Sequence, residues 1–168
     1  MAAGITYTPI ATYTVSGSTI NSVNFSSISG YTDIVGIVNT IVSSSTNAIR
    51  AIVNNDGAAS YSRTVYYGVN GNASALSTRN SGMVDMTGQY GIGTGSNSVT
   101  FKFNYPSYAS TTVQKSILWQ AADNVAGSVA VGSSLYPTTT ALTQINYNTN
   151  SGYFAVGSTF TLYGISAA

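Results

Sequence analysis

Cysteine, histidine and glutamate are all missing from the 168-residue chain, and charged residues of any kind make up only 5% of it. An ordinary globular protein carries about 25%. Without cysteine there is no disulfide framework and no thiol chemistry. Without histidine as well, Ser-His-Asp and Cys-His nucleophilic machinery is excluded. Zinc, haem and iron–sulfur ligation through those residues falls with it. The only acids are Asp33, Asp56, Asp85 and Asp123. A two-carboxylate glycosidase is the one familiar enzyme class left open, on thin material.

The bases are as sparse: Arg50, Arg63, Arg79, Lys102 and Lys115, for a net charge of +1. They are scattered singly and form no basic footprint for nucleic acid. No apolar run reaches the length that spans a membrane as a helix. The first ten residues lack the basic start and apolar stretch of a signal peptide, so synthesis in a cytoplasm is expected. No catalytic, cofactor-binding or metal-binding residue is assigned, and no cofactor is expected.

What is present points to strands. Hydrophobic residues make up 43% of the chain, enough to bury a core and to argue against disorder. Tyrosine alone supplies 13 residues, against five phenylalanines and one tryptophan. Tyr, Thr and Val favour strands, while Ser, Asn and Gly favour turns. Good helix formers are scarce, and no helical period of ten residues competes. Alternating or apolar segments are read at 12–15, 34–42, 48–53, 64–69, 98–105, 112–119, 128–131, 142–147 and 158–165, with 23–25 and 83–86 as short strand candidates. The expectation is nine or ten strands in an all-β, two-sheet antiparallel β-sandwich. A jelly roll of about eight strands with one or two extra edge strands fits best, and an immunoglobulin-like sandwich comes second. Residues 43–47 suit a hairpin loop, and 73–81 read as loop. The chain reads as one domain: 1–25 as an N-terminal arm and first strands, 26–168 as the rest of the sandwich. Residues 2–10 fit either a loose terminus or an arm lying along a neighbour.

Several motifs carry two readings. Asn54-Asn55-Asp56-Gly57 offers hard oxygen ligands for calcium, but its single carboxylate and missing loop spacing favour a hairpin turn. The glycines at 91, 93 and 95 lack a strand–turn–helix context, so a loop is preferred to a phosphate site. Tyr66, Tyr67, Tyr90, Tyr105, Tyr108 and Trp119 suit a core, a subunit interface or a sugar-stacking platform. Asn24 and Asn72 match the glycosylation pattern, as chance allows in so Asn- and Ser-rich a chain. Asp33, just before the longest apolar run, is expected to bond backbone N–H groups or an arginine.

Three segments carry a resemblance. Gly157-Ser158-Thr159-Phe160-Thr161-Leu162-Tyr163-Gly164-Ile165 resembles the closing strand of a family of small tailed-phage virion proteins. Ile28, Tyr31, Thr32 and Asp33 resemble that family's entry to its first long core strand. Asn54, Asp56, Tyr61 and Ser62 resemble a third segment, in the same order along the chain. The resemblance spans about residues 26–165 and implies a virion-surface β-sandwich, with Tyr31, Asp33 and Tyr163 as fold determinants. The implied location is the virion, assembled in a host cytoplasm and then extracellular. The implied role is non-enzymatic and structural, most specifically capsid decoration. The implied partners are the major capsid protein, other virion proteins and further copies of the chain, with a homotrimer as the guess. A tail or fibre-tip module that binds host glycans is the alternative.

Overall fold

The structure, a computed structural model, describes residues 6–42, 49–57, 61–69, 71–81, 84–85, 98–123, 127–149 and 152–166. Twelve strands appear among them: β1 (Tyr7–Thr14), β2 (Ser22–Phe25), β3 (Asp33–Ile41), β4 (Ile49–Val53), β5 (Tyr61–Val69), β6 (Asn72–Ser81), β7 (Val84–Asp85), β8 (Ser98–Tyr105), β9 (Lys115–Asp123), β10 (Val129–Tyr136), β11 (Ile145–Thr149) and β12 (Thr159–Ile165). They form two antiparallel sheets packed face to face, as expected of a β-sandwich. The large sheet runs β1-β12-β3-β8-β9-β10-β5-β6. The small one runs β2-β11-β4, with the two-residue β7 on its edge.

Four of the pairings nest inside one another along the chain: β1·β12, β2·β11, β3·β8 and β4·β7. Each inner pair lies within the loop closed by the next outer one, like a long hairpin rolled over on itself. Two ordinary hairpins, β5·β6 and β9·β10, are inserted into this scheme. Both join the large sheet beyond β8, so the large sheet is twice as wide as the small one.

Side-chain alternation sets which face is buried. Val99, Phe101, Phe103 and Tyr105 of β8 are all fully buried, while Thr100 and Lys102 between them are exposed. Each such buried aromatic contributes about 1.5–3 kcal/mol relative to an exposed one. Tyr147 of β11 closes the space between the sheets, with its ring 5.2 Å from Phe103 and 6.0 Å from Phe160. Its hydroxyl lies 3.1 Å from that of Tyr105. A Cβ on Gly36 would collide with the same hydroxyl, so the residue facing it on β3 has no side chain.

The structure departs from the sequence expectations in five places. The described residues form twelve strands, four beyond the nested eight and not one or two. Residues 73–81, read as loop, belong to the ten-residue β6. That segment is rich in Ala, Ser, Thr and Asn and sits at a sheet edge, so its sequence carries little apolar alternation and its pairing to β5 creates the strand. The β3–β4 connection is not a hairpin, because the two strands lie in different sheets; residues 43–48 lie outside the described residues. The turn at Asn54-Asn55-Asp56-Gly57 likewise carries the chain from the small sheet to the large one. Asn54 and Asn55 hold φ of 51° and 55°, a left-handed conformation that asparagine tolerates better than most residues. Finally, residues 7–10 are strand, neither loose terminus nor free arm. β1 pairs along β12, and Pro9 is accommodated at this edge beside a shift of register before Ala11.

Candidate functional site on the outer face of the large sheet

The residues singled out from the sequence do not converge. Asp33 accepts a hydrogen bond from the Ser107 backbone N–H at 2.6 Å, the strand-entry role expected of it. Asp56 accepts from the Tyr136 hydroxyl at 2.9 Å. Asp123 is buried at the end of β9. The Asp85 side chain, Tyr90 and the glycines at 91, 93 and 95 lie outside the described residues. Among the described residues, no three metal-ligating side chains gather in one place. Asn24 stands on β2, bonded to Gln144, and Asn72 opens β6.

The six-residue aromatic group divides. Tyr105, Tyr108 and Trp119 are buried in the core. Trp119 lies flat over Gly132 on the neighbouring strand, where a Cβ would come within 2.5 Å of the indole. Tyr67 faces inward, half-buried against the core. Of the five described, Tyr66 alone faces outward, 62% exposed. Among the described residues the stacking platform is therefore reduced to one ring.

The motif residues of the resemblance act on the fold. The Tyr31 ring occupies the space where a Gly164 Cβ would be. The Thr32 N–H donates to Ile165 O at 2.7 Å, tying the entry of β3 to the end of β12. Tyr163 faces outward on β12 with its ring 6.3 Å from Tyr7.

A second aromatic cluster locks the turn after β4. Tyr61 stacks on Tyr136 with centroids 4.9 Å apart. The Tyr61 hydroxyl accepts from the Val53 N–H and donates to Asp56 O. Burial, with the Asp56 carboxylate beside it, pushes the Tyr136 phenol up to about 12. Burial also raises the Tyr61, Tyr105 and Tyr147 phenols above their ordinary value of 10.0. A phenol whose pKa rises on folding stabilises the fold fully below the unfolded value, and that contribution is lost as pH climbs through the folded value. We therefore expect stability to fall from about pH 10 upward. In a spectrophotometric titration these four phenols should ionise only together with unfolding, as one cooperative step. Four separate ionisations in a folded protein would contradict this packing.

What the structure does gather is the outer face of the widened part of the large sheet. Three confluent grooves, of about 720, 370 and 600 Å³, run over β8, β9, β10, β5 and β6. Register places Lys102, Gln120, Val131, Tyr66 and Ala75 in one row straight across these strands. The next row holds Asn104, Leu118, Ser133, Thr64 and Ser77. Leu118, Val129, Val131 and Leu135 are each 38–57% exposed here, so five large apolar side chains, with Tyr66, stand on one face. Apolar side chains share this surface with the amides of Gln120 and Asn104 and the hydroxyls of Ser133 and Thr64. Such an arrangement binds by contact and hydrogen bonding. Sequence reading missed it because Val129, Val131 and Leu135 look like core residues until the register shows which face of β10 is covered. A scan against protein-family models finds no match to the chain, and a search of curated proteins finds none either.

Proposed function

We propose that the protein is a non-enzymatic structural component of a tailed-phage particle, specifically a small capsid decoration protein. The observation that carries this reading is the set of four nested strand pairs. Nested pairing of this kind is what a jelly roll calls for, the architecture common among capsid and lectin domains. The two inserted hairpins widen one sheet and leave a broad, charge-poor face for contact. The segments that resemble virion proteins support the reading; of their motif residues, Tyr31 packs against Gly164 and Asp33 accepts from the Ser107 N–H, both at the entry to β3, while Tyr163 faces outward. The mechanism is binding energy: each copy buries surface on the capsid shell or on its symmetry mates, a homotrimer being the proposed unit. Repetition over the lattice supplies avidity. No helix among the described residues is long and apolar enough to cross a membrane.

Contacts made by apolar groups, hydroxyls and amides lose little when salt screens Coulomb forces. Occupancy on purified particles should therefore stay constant from about 0.05 to 1 M salt. Release at high salt would count against this mode of attachment. Cryo-electron microscopy of the particle tests location: density for this chain on the capsid lattice is the expected result. Density on the tail would favour the second reading, a receptor-binding module for host glycans, to which the exposed Tyr66 in its groove lends support. A chain absent from every particle would overturn both.

A further inference from the structure

We propose that the outer groove of the large sheet binds a carboxylate-bearing glycan, with a sugar ring against Tyr66 and the carboxylate at Lys102. This names the ligand for the second reading above, the glycan-binding one, and rests on that face being open to solvent and not buried against a shell.

Tyr66 is the open ring of the groove. Its neighbours on the outer face are Val131 and Ala75 across the ladder and Thr64 and Gly68 along its own strand. All are small or aliphatic, so the ring face stays open. A phenol ring offers a flat, electron-rich surface to the C–H bonds of a pyranose, and its hydroxyl remains available for hydrogen bonding. Along the groove stand groups that both donate and accept: Thr64 and Ser133 near the ring, Gln120 and Asn104 further along. A peptide anchored by side chains calls for deep, separate pockets. A shallow continuous groove in which hydroxyls and amides are interspersed with apolar side chains matches the repeating hydroxyls of an oligosaccharide.

Charge selects within the glycans. Among the described residues, the charged side chains lining the three grooves are Lys102, Arg63 and Arg79, and none of the described lining residues is an acid. Arg63 points inward and is almost fully buried, whereas Lys102 and Arg79 are exposed. Lys102 lies in the same cross-strand row as Tyr66, three strands away, or about 14 Å. A chain of a few sugars spans that distance with Gln120 and Val131 beneath it. The Lys102 ammonium, at the end of the row that holds Tyr66, complements one carboxylate, as in a uronic or sialic acid.

The test uses the full chain on an array of sialylated and uronate-containing glycans, their neutral counterparts, and a poly-glutamate peptide. Saturable binding to acidic glycans is expected. It should weaken by at least about tenfold in Tyr66→Ala and in Lys102→Gln. Both positions are exposed, so both variants should melt with the wild type. Binding should also fall several-fold at high salt. The proposal is overturned by no saturable binding to any acidic glycan, by equal binding of the neutral counterparts, by unchanged affinity in the variants, or by preference for poly-glutamate. None of these results bears on where the chain sits in a particle, which microscopy reads separately.

Discussion

Gly164→Ala should destabilise the protein by about 3 kcal/mol, the upper end of the usual cost of overpacking. Gly164 lies in the last strand on its buried face, with ordinary strand backbone, so its conformational freedom is not at issue. Space is: an added Cβ would sit inside the Tyr31 ring. That ring cannot simply swing away. Its backbone N–H donates to the Tyr108 hydroxyl, and the next residue is tied to Ile165. In a domain of this size the loss corresponds to a fall in melting temperature of roughly 6–12 °C. A second change identifies the cause. Tyr31→Ala alone should cost stability by opening a cavity. Added to Gly164→Ala, it should cost much less than the sum, because it removes the collision. Additive effects in that double-mutant cycle would show that the two residues do not share this space. Gly36→Ala should behave alike, with the Tyr147 hydroxyl as the obstacle.

Lys115→Met should cost a similar amount, about 3 kcal/mol, for an electrostatic reason. Lys115 is fully buried at the start of β9, and its ammonium donates to three backbone carbonyls. These are Ser110 O at 2.5 Å, Val113 O at 2.8 Å and Thr139 O at 3.2 Å. Three donors meet three acceptors, and the stem crosses from the β8–β9 connection to the β10–β11 connection. Burial lowers the lysine pKa from 10.5, so the charge is held at some cost. That cost is present in full below the lowered pKa and fades as pH rises toward the unfolded value. Methionine keeps the stem and removes the cost. It also leaves three carbonyls without their donor, at about 1–3 kcal/mol each when buried. The loss of those bonds outweighs the relief from desolvation and decides the sign. Lys115→Arg should not rescue, because a planar guanidinium cannot replace a compact ammonium among three converging carbonyls. Denaturant midpoints measure the loss. Hydrogen exchange at Leu142, whose N–H is bonded to Tyr108 O, should show both connections loosening. Wild-type stability in Lys115→Met would mean that the cage does not hold the loops.

Much of the fold was legible because sandwich strands carry their own period. The segment 98–105 coincides with β8, since Val99, Phe101, Phe103 and Tyr105 alternate with polar residues and the core demands that alternation. The buried run of β3 was readable for the same reason. β6 was not, because nothing in Asn72-Ala73-Ser74-Ala75 distinguishes an edge strand from a loop until β5 offers it a ladder. Asp33 was placed correctly at a strand entry, although its partner Ser107, 74 residues away, could not be named. Of the aromatic residues chosen and described, only Tyr66 reached the outer groove with its ring exposed; the others were drawn toward the core, where large apolar area is worth most.

The sequence alone determined the chemistry available to this protein: no thiol, no imidazole, few charges, and strands with one apolar face. Those properties reside in residue types and local periods, which need no partner to be read. The tertiary structure alone decided how the strands nest, that two hairpins broaden one sheet and leave its outer face uncovered, and that a lysine and three glycines sit at its tightest contacts. Those depend on which distant strands meet and in what register. A one-residue slip would exchange every buried side chain for its exposed neighbour, and only the packed sandwich removes that freedom.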